Sequence, residues 1–201
     1  MEDKNTRMII LNEALSLFAS RGYADVSMRD IAAACNIQAS SIYHHFSGKQ
    51  QIFDALVEQV KAMKDNLQMM FMQAFSQNGK TSKKTTEKDF VMVGMAFVSE
   101  FLNNPQVGPL LKVVECERLH NEGAEYAWKE LMIDAPLEHE TMIFKALMDR
   151  KEIMEDDPRA LAEEYQSMIF VAYFSGDMDR LKTQLTRFYR RIFVSAKNKK
   201  G

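Results

Sequence analysis

The chain of 201 residues contains few of the residues that make turns and cross-links: eight glycines, four prolines and two cysteines. Such low glycine and proline contents argue against a turn-rich β-sandwich, a collagen-like chain or a disordered linker protein, and they favour helices. Cys35 and Cys116 could pair in principle. A chain of this size buries a core without a disulfide, so we expect two reduced thiols. Apolar runs such as residues 168–174 fall far short of the roughly 20 residues that cross a bilayer, and we expect no membrane partner.

The overall charge gives no direct sign of a nucleic-acid partner. The chain has 26 basic and 28 acidic residues, which is a formal net charge of −2. Near-neutrality weakens the case for nucleic-acid binding without excluding it, since a helix that reads a DNA groove needs only a few well-placed polar and basic side chains. Residues 1–5 are charged rather than apolar, unlike a secretory signal, and we expect a cytoplasmic protein.

The first fifty residues are predicted to form three short helices. The first helix is predicted over about residues 4–20, because apolar residues recur there at intervals of three and four. These apolar residues are Leu11, Ala14, Leu15 and Phe18. Ser27 followed by Asp30 is a capping-box pattern, which predicts the start of the second helix. Asn36 tolerates the left-handed backbone of a tight turn, and the third helix is predicted after it, over about residues 39–45.

The outward side of the third helix combines small, amide, hydroxyl and aromatic side chains: Gln38, Ala39, Ser40, Ser41, Tyr43 and His44. Small residues let a helix approach DNA closely, amides and hydroxyls can hydrogen-bond base edges, and hydroxyls can donate to phosphate oxygens. Ser47 and Gln50 have the spacing of a capping box for the next helix, with Lys49 in its first turn. Because a lysine opposes the helix dipole at that position, an anion such as phosphate would explain it.

The stretch from Phe18 to Phe53 resembles the TetR family of bacterial transcriptional regulators. The matching residues are Phe18, Gly22, the run Ser27-Met28-Arg29-Asp30-Ile31-Ala32, Ile37, the run Ile42-Tyr43-His44-His45-Phe46, Lys49 and Ile52. The resemblance implies that phosphates are bound by Ser27, Ser41, Tyr43 and Lys49. It implies that bases are read by Arg29, Gln38, Ala39, Ser40 and His44. The family's usual Ala-Gly-Val-Ser turn is here Cys35-Asn36-Ile37-Gln38, which keeps the turn and leaves the cap of the recognition helix open.

The spacing of apolar residues beyond Ser47 predicts one helix of about 28 residues, long enough to link two domains. We therefore predict an all-α protein: a helix-turn-helix DNA-binding domain of three helices (residues 1–48) and a larger helical ligand-binding and dimerisation domain (residues 49–201). A polar loop over residues 77–87, six further helices and a basic tail over residues 197–201 complete this prediction. Pro136 either begins one of these helices or kinks a longer one.

The last two helices carry apolar seams that predict a homodimer. Their residues are Leu161, Tyr165, Met168, Ile169, Ala172, Leu181, Leu185, Phe188 and Ile192. Phe170 and Phe174 form a second stripe, and one helix face cannot bury both stripes. The spacing is that of a helix-packing seam, so we expect these helices to pair with a copy of themselves. An ordinary intramolecular core is the alternative.

Methionines and aromatic residues are plentiful after residue 50, and they build either adaptable apolar cavities or ordinary cores. The resemblance implies a C-terminal domain that binds a small effector and thereby changes the separation of two DNA-binding heads. We expect an apolar or aromatic effector, with Glu115 and Arg118 as polar anchors. The predicted pocket consists of Met63, Leu67, Phe71, Phe97, Phe101, Leu111, Glu115, Arg118, Tyr126, Phe144, Phe170 and Tyr173.

The sequence has no glycine-rich phosphate loop, no Gly-x-Ser-x-Gly and no Cys-x-x-Cys, so we expect no enzymatic activity and no cofactor. Cys116 and His120 share a helical face, which is more typical of a helix surface than of a metal site.

The leading hypothesis is a homodimeric repressor that a small molecule releases from a palindromic operator in double-stranded DNA. The alternatives are a regulator that answers to a protein partner or to no ligand, and a helical carrier or protein-docking module in which the N-terminal helices are only scaffold.

Overall fold

The computed structural model describes residues 2–76 and 84–193, with side chains over residues 5–66 and 84–193. This described part is helical and holds no β-strand, only an isolated antiparallel bridge between Ile153 and Phe193. Its helices are α1 (Glu2–Arg21), α2 (Met28–Ala34), α3 (Ala39–His45), α4 (Lys49–Ser76), α5 (Glu87–Ala96), α6 (Gly108–Glu117), α7 (Glu122–Lys129), α8 (Ala135–Asp149), α9 (Pro158–Ser175) and α10 (Met178–Ile192). Two π-helical stretches, Phe97–Leu102 and Glu130–Asp134, follow α5 and α7.

The chain divides into two compact units. The N-terminal unit comprises Met1–Leu67 and Asn104–Glu130, and the C-terminal unit comprises Gln68–Asn103 and Leu131–Gly201. This division differs from the predicted boundary between residues 48 and 49. The long helix α4 is continuous there, and α6 and α7 belong to the unit that holds the first three helices.

The N-terminal unit encloses the predicted core of three helices. The stripe predicted on α1 is confirmed, because Leu11, Ala14, Leu15 and Phe18 are all buried. Ile31 of α2, Ile42 of α3 and Phe53 of α4 are buried as well. α6 packs against α1, and α7 packs against α6. The helix-turn-helix is therefore supported by two helices that come sixty residues later in the sequence.

Local sequence signals explain most of the helix ends in this unit. Ser27 accepts a hydrogen bond from the backbone N–H of Asp30 and donates its own N–H to the Asp30 carboxylate, as the capping box predicts. Asn36 has φ 55°, the left-handed turn predicted before α3. The predicted box between Ser47 and Gln50 is wrong: the backbone N–H of Ser47 donates to Gln51 Oε1 at 2.6 Å. Because α4 begins at Lys49, Gln51 and not Gln50 is its third residue.

The C-terminal unit packs α5, α8, α9 and α10 around an apolar and aromatic core. This core includes Leu137, Phe144, Leu147, Ile153, Leu161, Ala162, Phe188 and Ile192. Pro136 lies in the first turn of α8 after a π-helical stretch, so the chain remains helical from α7 through α8. Thr86 caps α5 through its hydroxyl. Most of the loop predicted over residues 77–87 and the tail predicted over residues 197–201 lie outside the described residues.

The structure corrects the predicted dimer seam. Seven of its residues are at most 4% exposed in the single chain: Leu161, Ile169, Ala172, Leu181, Leu185, Phe188 and Ile192. Tyr165 and Met168 are half-buried and pack against the same core. The seven buried side chains are covered within the C-terminal unit and leave almost no surface for a second subunit. The intramolecular alternative is the one the structure supports.

Candidate DNA-binding surface

Helix α3 presents its predicted recognition face to solvent. Gln38, Ala39, Ser40 and His44 are exposed, and the Tyr43 side chain is 56% exposed. Ser41 is half-buried, while Ile42 on the opposite side is fully buried. Gln38 precedes α3 in an extended conformation, and within the described residues its side chain makes no capping hydrogen bond to that helix. Among the described residues, its amide therefore takes no part in capping α3.

Helix α2 adds a basic side chain and a hydroxyl. Arg29 is exposed, as a base-reading residue must be. The Ser27 hydroxyl is engaged by Asp30 in the capping box, and the hydrogen bonds from Ser27 lower the pKa of the Asp30 carboxyl. Ser27 therefore fixes the start of α2. The structure does not test its predicted contact with phosphate.

Lys49 has a structural role that the sequence did not reveal. Its ammonium donates to the backbone oxygens of Tyr23 at 2.5 Å and Ala24 at 3.1 Å, and it lies 4.3 Å from the centre of the Tyr23 ring. Partial burial lowers the pKa of Lys49. These contacts account for a lysine in the first turn of α4 without an anion, and its predicted contact with phosphate stays a prediction.

Tyr23 is the centre of this arrangement. Its ring makes edge-to-face contacts with Phe18 and Phe53, and its hydroxyl donates to Gln50 Oε1 at 2.9 Å. Its backbone N–H donates to Glu117 Oε1 at 3.2 Å, which ties the loop after α1 to the end of α6. Burial, together with the carboxylates of Asp54 and Glu117, raises the pKa of the Tyr23 hydroxyl. Neither Tyr23 nor Glu117 was predicted as a positioning residue, because their contact spans 94 positions in the sequence.

The predicted pocket residues are distributed over both units. Met63, Leu111, Glu115, Arg118 and Tyr126 belong to the N-terminal unit, and Phe97, Phe101, Phe144, Phe170 and Tyr173 belong to the C-terminal unit. The side chains of Leu67 and Phe71 lie outside the described residues.

Several of the predicted pocket residues can be placed individually. Leu111 and Phe144 are 2% exposed and packed as core residues. Tyr126 is 65% exposed on α7. The Arg118 guanidinium lies 4.6 Å from the centre of the Trp128 ring.

No metal or membrane site emerges from the described residues. Cys35 is half-buried, Cys116 is exposed, and both thiols are free. Within the residues that the structure describes, no group of three His, Cys, Asp or Glu side chains is placed to hold a metal ion. Among the described helices, none is both long and apolar enough to span a bilayer.

Comparison with known proteins agrees with this geometry. Residues 10–56 match the family model for bacterial regulatory proteins of the tetR family. The chain is 29% identical over 119 residues to the HTH-type transcriptional regulator UidR of Escherichia coli K12, which is 55% of this chain and 59% of UidR. It is 34% identical over 70 residues to IcaR, the negative transcriptional regulator of the biofilm operon icaADBC in Staphylococcus aureus (strain Newman), which is 35% of each chain. The chain thus matches about three-fifths of UidR and about a third of IcaR.

Solved structures share the fold over almost the whole chain. A tetR-family regulator from Mesorhizobium loti aligns with a TM-score of 0.75 and 17% identity, covering 96% of this chain and all of that one. A complex of SmeT with triclosan aligns with a TM-score of 0.68 and 17% identity, covering 96% of this chain and 93% of that one.

The α2–turn–α3 arrangement, with its exposed polar helix on a buried apolar core, has the geometry of a helix-turn-helix. The family model matches residues 10–56, and the fold beyond them is shared with solved structures, so the N-terminal part of this chain is similar to the TetR family of bacterial transcriptional regulators. The recognition that the N-terminal motif suggested is confirmed, and so is the all-α fold.

Proposed function

We propose that this protein is a homodimeric repressor that binds a palindromic operator through α3 and is released when a small molecule binds the C-terminal unit. The observation that carries the proposal is the exposed row of Gln38, Ser40, Tyr43 and His44 on a helix whose other side is anchored by Ile42. Arg29 and these side chains supply the donors and acceptors that base edges and phosphates require. Such a protein acts on DNA in the cytoplasm as a regulator and not as an enzyme.

A repressor role is supported by the likeness to IcaR, which is named as a negative regulator. Repression also requires no activity beyond occupancy of the operator. One recognition helix alone gives little specificity, whereas a two-fold dimer reads two half-sites about one helical turn apart.

The dimer surface that we propose is the outward face of α9. Val171 and Phe174 are 44% and 52% exposed, and they lie opposite the buried residues Ile169 and Ala172 on the same helix. Phe170 and Tyr173 flank them, and the ring of Phe174 contacts both at centroid distances of 5.6 and 5.0 Å. Exposed aromatic groups of this kind are enriched at protein interfaces. In this proposal the second subunit packs against this exposed face of α9, and not against the buried apolar seam that the sequence predicted.

Release by an effector, as we propose it, has one energetic requirement. The ligand must bind the form that cannot hold DNA more tightly than the form that can, because equal affinity for both shifts nothing. The fold is shared with SmeT, whose structure contains triclosan, and this likeness supports a small-molecule effector here. The alternative function is a helical carrier without specific DNA binding. In that case the same C-terminal unit would bind the small molecule.

The test compares two tyrosines of similar exposure. Tyr43→Ala removes a proposed DNA contact on α3, and Tyr126→Ala makes the same change on exposed α7. We expect Tyr43→Ala to weaken binding to a duplex selected by the native protein about tenfold or more, measured by fluorescence anisotropy, while Tyr126→Ala leaves it unchanged. Equal affinity of the native protein and Tyr43→Ala would overturn the proposed role of α3 and favour the carrier.

A further inference from the structure

The cations around the helix-turn-helix differ in how far their hydrogen-bond donors are already used. The arginines and lysines between residues 5 and 60 are Arg7, Arg21, Arg29 and Lys49. Arg21 is paired with the Asp30 carboxylate at 3.5 Å and donates to the Asp25 carbonyl at 3.2 Å. Lys49 donates to two backbone carbonyls. Because an ammonium has three donors, Lys49 has only one left for a phosphate.

The guanidinium groups of Arg7 and Arg29 are the ones whose donors are unused. Both side chains are exposed, and within the described residues neither forms a hydrogen bond or an ion pair. Arg29 is the basic side chain that α2 offers to base edges. Arg7 lies on α1, ahead of the motif from Phe18 to Phe53, and no binding role was predicted for it. It is therefore an exposed cation with five N–H donors and no assigned acceptor.

Arg7 lies against the end of α3. Its Cζ atom is 4.7 Å from the centre of the Phe46 ring, which is itself buried. Phe46 ends α3, since its backbone N–H donates to the Ile42 carbonyl at 3.0 Å. Tyr43 and His44 in the last turn of α3 are exposed. Arg7 thus places a positive charge beside the turn of α3 that carries two of the proposed DNA contacts.

The stacked position suits a guanidinium that binds an anion. A guanidinium that lies over a ring keeps its N–H donors at its own edge, where they match two oxygens of a phosphate. The ring also holds the group in place, so less side-chain freedom is lost when an anion binds. The negative end of the α3 dipole attracts a cation as well, and a purely structural role is the alternative that an experiment has to exclude.

We propose that Arg7 binds a phosphate of the DNA backbone next to the bases that α3 contacts. It supplies at this place the charge that Lys49, bound to two carbonyls, supplies only in part. The inference rests on the proposed function, because it adds a contact to the same DNA-binding surface. A phosphate contact carries no sequence information, so Arg7 contributes affinity and orientation and not the choice of bases.

The test measures fluorescence anisotropy with two duplexes, one selected by the native protein and one of shuffled sequence, in a salt titration. Arg7→Gln removes the charge and should weaken binding to both duplexes at least about fivefold near 0.15 M salt. The slope of log affinity against log salt concentration should become shallower by about 0.9 for each bound protomer. Arg7→Lys keeps the charge and should keep the native slope.

The matched control is Arg187→Gln, which makes the same change on α10 of the C-terminal unit. Arg187 is exposed and, among the described residues, has no hydrogen bond or ion pair. Its variant should have the native affinity and the native slope. Urea unfolding of each variant shows whether it is folded under the binding conditions, which separates a loss of binding from a loss of stability.

Three results with folded Arg7→Gln would overturn the proposal: native affinity, weaker binding with the native salt slope, or a loss confined to the selected duplex. The first of these, found together with weaker binding by Tyr43→Ala, would refute this contact and leave the proposed function standing. A native protein that binds both duplexes alike would refute the specific repressor, and the salt slope of Arg7→Gln would still decide this contact. A native protein that binds neither duplex would overturn both proposals.

Discussion

Replacing Glu140 by glutamine should remove a pH-dependent loss of stability. Burial raises the pKa of the Glu140 carboxyl well above its ordinary value, because the ionised form would lose its hydration among apolar neighbours. The unfolded chain keeps the ordinary glutamate pKa of about 4.3. Below that pH the carboxyl is protonated in both states, and its contribution to stability is fully present. As the pH rises, the unfolded chain releases its proton first, so stability falls until the pH passes the folded pKa.

The size of the effect follows from the single proton involved. Between the two pKa values, the free energy of unfolding should fall by about 1.4 kcal/mol for each pH unit. Glutamine has the same shape and does not ionise. The difference in stability between Glu140→Gln and the native protein should therefore grow by about that amount per pH unit above about pH 4.5, and it should level off at the folded pKa.

Urea unfolding followed by circular dichroism, at half-unit steps from pH 4.5 to pH 8, measures this difference directly. Other titrating groups are common to both proteins and cancel in the comparison. Glu138→Gln is the control, because it makes the same substitution at an exposed carboxyl on the same helix. A difference for Glu140→Gln that is also constant over this range would refute the burial argument.

Three other substitutions test the packing that positions the DNA-binding helices and the C-terminal core. Lys49→Met removes the hydrogen bonds to the Tyr23 and Ala24 carbonyls and should destabilise the protein by about 1–2 kcal/mol in urea unfolding, whereas a purely phosphate-binding lysine would leave stability unchanged. Ser27→Ala removes the cap of α2 and should cost about 1 kcal/mol, which a thermal melt with unaltered midpoint would disprove. Gly94→Ala forces a methyl group against Leu185 and Tyr165 and should cost about 1–3 kcal/mol; an unchanged free energy of unfolding would mean that α5 does not approach these side chains so closely.

The parts of the fold that depend on nearby residues were predictable. The range of α3 matches the prediction from Ala39 to His45, because a left-handed residue and an apolar stripe fix it locally. The capping box between Ser27 and Asp30 was predictable for the same reason. The exposed face of α3 follows from the burial of Ile42.

The features that sequence reasoning missed depend on partners far along the chain. Periodicity showed that Leu181 and Leu185 lie on a buried seam, but it could not show that the seam packs within one chain and not against a copy. Lys49 bonds to a loop 26 positions earlier, and Glu117 reaches Tyr23 across 94 positions. The signal that could have drawn attention to Glu140 was its place in an otherwise apolar stripe of α8.

Selection of DNA from a random duplex pool by the purified protein, at moderate salt, tests the central claim most directly. Moderate salt suppresses binding that depends only on phosphates, so enrichment then reports contacts with bases. Specific recognition by two copies of α3 predicts enrichment of a palindrome with half-sites about one helical turn apart. A folded protein that enriches no sequence would contradict the account.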